Sequence, residues 1–233
     1  MHADLRREAL EANLELPRLG LVDFTWGNVS VLERESGIVA IKPSGLPYDR
    51  LRAQDIVLVG LDGERVEGGM NPSSDLATHL ELYRAFPAIR SVVHTHSEWA
   101  TAWAQACRPI PALGTTHADY FRGSVPCTRV MTQAEVEGEY ELETGRVIVE
   151  TFRRGGIDPA AMPAVLVANH GPFTWGGDGG EAVHNAAVLD IVARLALRTL
   201  QASPGTGDMP AWLLAKHHGR KHGPGAYYGQ AKA

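Results

Sequence analysis

The sequence predicts a layered α/β or α+β domain with a largely antiparallel sheet, and three observations carry that reading. "NVSVLERESGIVAIKPSG" reads as two short strands around a Glu35-Ser36-Gly37 turn, and "DIVLVGLDGERVEGG" repeats the design around Asp62-Gly63, so hairpins follow one another. Between and after them lie segments with helical spacing, the longest being "EAVHNAAVLDIVARLALRTL". Finally, 233 residues with 44% hydrophobic content suit one domain with a full core, spanning residues 1–233. Hairpins and helices sharing one core stack as layers.

The first helix is expected within "MHADLRREALEANLELPRLG", where Leu5, Ala9, Ala12 and Leu16 fall on one face. After the two hairpins, "NPSSDLATHLELYRAFP" places turn residues Asn71, Pro72, Ser73 and Ser74 before Leu76, Leu80, Leu82 and Tyr83, and Pro87 stops the helix. A buried strand, "SVVHTHSEW", then leads into a helix through "WATAWAQAC", a loop "PIPALGTTHADYF" and a short strand near "VPCTRVM". Residues 133 to 154 fit helix and strand alike, because Glu-rich helix formers precede the β-prone "RVIVETF". "MPAVLVANHGPFTWGGD" is expected as a buried strand entering a Gly-rich turn. The long helix follows, then a linker "ASPGTGDMP", one short helical stretch and the tail "KHHGRKHGPGAYYGQAKA".

A net charge of −5 offers no overall attraction to nucleic acid or to an anionic membrane, so any anion site must be local. The amino-terminal segment lacks the apolar core of a signal peptide, and no apolar run reaches the roughly 18 residues of a membrane span. A soluble, cytoplasmic protein is expected. Its two cysteines, Cys107 and Cys127, have no metal-like spacing and read as reduced thiols.

Chemistry concentrates in a few small clusters. Strand side chains alternate, so Val92, His94 and His96 point one way and Val93 and Thr95 the other. The two histidine Cα atoms would lie roughly 6.5 Å apart, close enough for both rings to reach one metal ion. With ten histidines in the chain, a chance pair remains an alternative. His170, before a Gly-Pro turn, is a candidate third ligand or a histidine hydrogen-bonded at a strand end. Asp75 in a helical first turn is either a dipole-stabilised carboxylate or a metal-facing one. "GNVS", "KPSG" and "PSSD" bring Asn28, Ser44, Gly45, Ser73 and Ser74 as small polar donors, with Lys42 as a counter-charge. Together they suggest a shared oxyanion pocket.

The ordered set "GNVS", "KPSG", "PSSD", "HTHS", "GTTHADYF", "NHGPF" and "AYYGQ" resembles the class II aldolase and adducin-head superfamily, most closely its branch of L-ribulose 5-phosphate 4-epimerases. The likeness runs nearly end to end. It implies a three-layer α/β/α domain with a mostly antiparallel central sheet, assembled as a homotetramer with active sites between subunits and with the tail, residues 211–233, packed at an interface. It also implies a divalent metal, zinc, on His94, His96 and His170 with Asp75 at the metal site. By the same resemblance a phosphate pocket forms from Gly27, Asn28, Ser44, Gly45, Ser73 and Ser74, and Asp119 and Tyr228 act as the proton-transfer pair. On the residues alone Asp119 reads as an Asx-turn or capping residue. Ala168-Asn169 departs from the His-Ser usual before the third histidine in that branch and is closer to the aldolases, and "HSEW" replaces a more basic form.

The activity so implied is inversion at C4 of L-ribulose 5-phosphate to D-xylulose 5-phosphate. The C4–H bond is not next to the carbonyl, so enolisation cannot reach it, and breaking and remaking the C3–C4 bond can. A class II aldolase acting on fuculose or rhamnulose 1-phosphate is the near alternative, and "THADYF" and "AYYGQ" argue against it. A non-enzymatic adducin-like module is disfavoured by the three histidines. An all-β cupin conflicts with the long helix.

Overall fold

The computed structural model describes residues 2–228. Seven strands form one sheet in the order β4-β3-β2-β1-β5-β7-β6, and every neighbouring pair is antiparallel. The two expected hairpins are β1 (Asn28–Glu33) with β2 (Ile38–Ile41), and β3 (Val57–Gly60) with β4 (Arg65–Glu67). β5 (Ser91–His94) lies against β1, and the hairpin β6 (Ala164–Val167) and β7 (Gly171–Gly176) closes the other side.

Strand alternation sorts the apolar residues into two faces. Val29, Val31, Ala40, Leu58 and Val93 pack with Leu5, Ala9, Ala12 and Leu16 of α1 (Ala3–Arg18) and with Ala182, Val183 and Ala186 of α7 (Gly179–Ala202). Leu32, Val39, Ile41, Val57, Val59 and Val92 pack with Leu80 and Tyr83 of α2 (Leu76–Ala85) and Ile148 and Phe152 of α6 (Tyr140–Gly155). The sheet is therefore the middle of three layers, as the resemblance implied. α3 (Glu98–Gln105) packs on α7 and β7, and α8 (Ala211–His222) packs on the single turn α4 (Thr115–Ala118).

Several expectations need correction. The segment near "VPCTRVM" is not a strand: Val125 and Cys127 each make only an isolated bridge, to Ile110 and Leu166, with Pro126 between them unable to donate to a ladder. Residues 133–154 are helical throughout, as α5 (Gln133–Glu137) and α6, except for the residues joining them. In α6 Thr144, Ile148 and Phe152 recur every four residues against the core, so helical burial overrides the β propensity of "RVIVETF". Gly145 makes that packing possible, since a Cβ there would come within 2.7 Å of Glu81 Cβ on α2. "MPAVLVANHGPFTWGGD" is a hairpin of two strands, with His170 in its turn. The expected loop "PIPALGTTHADYF" contains α4, and the helical stretch before the tail runs on to His222.

At the end of α3, Cys107 occupies the left-handed region (φ 53°), its N–H donating to Ala104 O and the following N–H of Arg108 to Trp103 O. Glycine is usual at this helix-terminating position. A Cβ there costs roughly 1–2 kcal/mol, against which glycine's greater freedom in the unfolded chain returns about 0.5–1 kcal/mol. Since Cys107 is exposed, little packing is lost on truncation. Cys107→Gly is expected to raise Tm by roughly 2–4 °C in a calorimetric scan, and a lower Tm would refute this account.

Candidate metal centre and anion pocket

The pairing of β1 with β5 places Asn28 opposite His94 and Ser30 opposite Val92, all on the face toward α2. His94 ends β5, and the strand stops before His96, which the expectation had put within it. The turn between β6 and β7, with Asn169 in the left-handed region (φ 62°), delivers His170. Asparagine tolerates that conformation better than most residues with a side chain.

The three imidazoles converge. Their ring centroids are 4.9, 4.7 and 5.2 Å apart, and each pair stands edge to face. Three donor atoms, one per residue, lie within 4.8 Å of one another, and His94 Nε2 and His96 Nε2 are 3.1 Å apart. A tetrahedral zinc ion with bonds of 2.0–2.1 Å has nitrogen ligands about 3.3 Å from each other, close to the His94–His96 separation. The outer nitrogens fit too. His94 Nδ1 is 3.0 Å from Pro172 O, which fixes the proton there and leaves Nε2 as the ligand atom, while Phe173 stacks on the ring at 4.2 Å. His170 Nδ1 is 3.4 Å from Tyr140 Oη. Burial, reinforced by the neighbouring histidines, pushes the His170 pKa down to about 3 and lowers that of His96. Both are neutral near pH 7, the form that binds metal.

Asp75 is not part of that cluster of donor atoms, although it lines the same cavity. Its Oδ2 accepts a 2.7 Å hydrogen bond from Asn28 Nδ2. Burial raises its pKa, but His94, His79 and the Asn28 bond outweigh this and hold it below the usual carboxylate range. Beneath the cavity, His79 Nδ1, Ser30 Oγ and Tyr83 Oη are linked at 2.7 Å each. His79 is fully buried, and desolvation pushes its pKa down to about 3, so it serves as a neutral core group.

One cavity of about 590 Å³ joins this centre to the expected anion pocket. Gly27, Asn28, Lys42, Ser44, Gly45, Ser73, Ser74, Asp75, His94, His96 and His170 all line it. Gly27 has φ 72°, and a Cβ would come within 2.9 Å of His94 O, so only glycine fits where the chain enters β1. The backbone N–H groups of Ser44 and Ser73 are already donated to Asn71 O and Lys42 O. Ser73 Oγ is also engaged, accepting from Asn28 Nδ2 at 3.0 Å, so Ser73 shapes the pocket wall. Lys42 is 2% exposed, with Nζ 3.3 Å from Thr25 O and 4.8 Å from the centre of the Tyr48 ring. Burial pushes its pKa down to about 8.

Sequence reasoning did not find Thr25, Trp26, Tyr140 and Glu141, which line the cavity as well. Tyr140 and Glu141 begin α6, inside the segment whose secondary structure was ambiguous. The two proton-transfer candidates stand apart from the cavity lining. Asp119 accepts from Arg220 Nε at 2.9 Å and Arg220 Nη2 at 2.6 Å and lies 3.0 Å from His217 Nδ1, while Tyr228 lies over Arg220 in the tail.

Residues 7–197 match the family described as the class II aldolase and adducin N-terminal domain. The chain belongs to this family. Over 226 residues it is 55% identical to L-ribulose-5-phosphate 4-epimerase UlaF of Salmonella paratyphi A and to that of Salmonella typhi, covering 97% of this chain and 98% of each relative. Among solved structures, an L-fuculose 1-phosphate aldolase superposes with a TM-score of 0.78 at 24% identity over 93% of this chain and 95% of that one. The L-fuculose-1-phosphate aldolase of Thermus thermophilus gives 0.67 at 25% identity, over 89% and 100%. These likenesses agree with the three-layer fold, and the enzyme is of the epimerase type its relatives represent. Among the described residues, no helix is long and apolar enough to cross a membrane.

His96→Ala and His170→Ala are each expected to abolish stoichiometric metal in elemental analysis. Tyr140→Phe, which removes only the partner of His170 Nδ1, should weaken metal retention by roughly 10-fold in a chelator competition. Full metal in the histidine variants would remove the triad from the site.

Proposed function

We propose that this enzyme converts L-ribulose 5-phosphate to D-xylulose 5-phosphate by cleaving and re-forming the C3–C4 bond, with zinc held by His94, His96 and His170 and with Asp75 beside it. The observation that carries the reading is the single cavity in which three convergent imidazoles sit next to a buried lysine and a wall of small polar residues. The names of relatives 55% identical along nearly the whole chain support the substrate.

When bound, the metal supplies Lewis-acid stabilisation of negative charge on the C2 and C3 oxygens. The protein's own groups do the rest. A base takes the C4 hydroxyl proton, the C3–C4 electron pair stays on the three-carbon fragment, and glycolaldehyde phosphate is released from the bond but not from the site. Lys42, with Gly27, Asn28, Ser44, Gly45, Ser73 and Ser74 around it, tethers the phosphate while the aldehyde turns its other face. Re-addition followed by protonation of the C4 oxygen gives the epimer. Opposite faces require two proton-transfer groups, Asp119 and Tyr228. Because neither lines the cavity of its own chain, the reading includes a homotetramer in which the tail reaches a neighbour's metal centre.

Metal-loaded protein incubated with L-ribulose 5-phosphate should yield D-xylulose 5-phosphate. Accumulation of glycolaldehyde phosphate without epimer, or faster cleavage of fuculose 1-phosphate, would favour an aldolase.

Lys42 adds a pH signature. Its ammonium is present below about pH 8 in the free enzyme and is lost above it, whereas a bound phosphate dianion holds the proton on. The KM for the phosphorylated sugar should therefore rise as pH increases through about 8, and Lys42→Met should flatten that rise. A KM independent of pH between 7 and 9 in the parent enzyme would take Lys42 out of the phosphate pocket.

A further inference from the structure

We infer that Arg220 is a positioning residue that holds Asp119 and Tyr228 together as one unit, an inference that rests on the proton-transfer roles proposed above. Arg220 uses each part of itself. The edge of its guanidinium forks onto the Asp119 carboxylate, Nε to Oδ1 at 2.9 Å and Nη2 to Oδ2 at 2.6 Å. Its Cζ lies over the Tyr228 ring, 4.9 Å from the ring centre. Its backbone carbonyl accepts the N–H of Tyr227 at 3.0 Å and of Tyr228 at 3.2 Å. No other side chain among the described residues contacts both groups in this way.

The neighbours consolidate the arrangement from both sides. His217, one turn earlier on α8, lies 3.0 Å from Asp119 Oδ1, and His222 Nε2 lies 2.9 Å from the Asp119 backbone carbonyl. Lys221 Nζ is 4.6 Å from the Tyr228 ring and 3.8 Å from that of Tyr120, the residue after Asp119. A lysine at position 220 would keep the charge but could not grip the Asp119 carboxylate bidentately while its charge also lies over the Tyr228 ring. Two groups so coupled must travel together to whichever metal centre they serve. The fork also has an electrostatic consequence. Partial burial raises the Asp119 pKa, but hydrogen bonds from Arg220 and His217 outweigh it and hold the carboxyl below its usual range.

The test compares Arg220→Gln, Arg220→Lys, Asp119→Asn and Tyr228→Phe in the full-length, metal-loaded enzyme. Arg220→Gln should lower kcat by roughly 10–100-fold, within the range of an impaired acid–base step, with KM changed less than about 3-fold and metal content full. The acid limb of its kcat/KM profile should move to higher pH, because the Asp119 carboxyl loses its strongest partner. Arg220→Lys should recover part of the rate. Independently of catalysis, amide exchange at Tyr227 and Tyr228 should accelerate in Arg220→Gln and in Asp119→Asn alike. An unchanged kcat and pH profile in Arg220→Gln, or a loss shared by kcat, KM and metal, would overturn the positioning role. If exchange behaves as expected but Asp119→Asn and Tyr228→Phe keep full activity, the proton-transfer assignment fails and the positioning role with it, while the metal and phosphate sites stand.

Discussion

The antiparallel pairing of β1 with β5 is the constraint on which the site depends. Its register sets Asn28 opposite His94, and the two-residue period then sends Asn28, Ser30, Val92 and His94 to one face of the sheet. A slip of one residue would turn His94 toward α1 and bring an apolar side chain into the cavity. Everything else in the centre is placed relative to that pair. Asn28 bridges to Ser73 and Asp75 at the start of α2, Ser30 ties down His79 and Tyr83, and the turn after β6 brings His170 beside His94.

Desolvation is the second theme. The same burial that makes His170 and His79 poor bases keeps them neutral. For His170 this frees a lone pair for a cation, and for His79 it removes a charge from the core. Burial acts on Lys42 with the same sign but leaves its pKa near neutrality, so that lysine can still carry charge when an anion arrives. The cavity thus separates a cluster of three imidazoles that could hold a metal ion from a side chain that can itself carry charge. In a chain of net charge −5, this local arrangement supplies what the overall composition lacks.

The carboxyl-terminal region follows a different logic. Among the described residues, α8 and the segment after it to Tyr228 contribute little apolar burial, and none of the α8 side chains belongs to the core. Charge-assisted hydrogen bonds to Asp119 and ring contacts of Arg220 and Lys221 hold it instead. Such contacts are directional, and they weaken when a single partner is lost. A segment docked this way is well suited to presenting polar groups to a second surface.

Local patterns made much of this protein legible. The first two hairpins, the first helix, the helix after "NPSSD" and the long helix follow from period and turn chemistry, because their burial is set by near neighbours in sequence. That His94, His96, His170 and several small polar residues could share a site was also legible, since groups able to bind a metal or an anion are of particular types, and the structure places them around one cavity. Other features had no local signature. "RVIVETF" is helical because α6 packs across α2, a contact that Gly145 permits and that outweighs β propensity. Tyr140 and Glu141 entered the cavity lining for the same reason. The short strand expected near "VPCTRVM" is reduced to isolated bridges at Val125 and Cys127, on either side of Pro126. Asp119 read locally as a turn or capping residue, and its partners Arg220 and His217 lie about a hundred positions away in the chain. The sequence by itself determined which groups could bind a metal and an anion and which segments fold locally. Only the tertiary structure decided which of those groups share a cavity and which share a clamp, because long-range pairing and packing, unlike period and propensity, leave no trace in neighbouring residues.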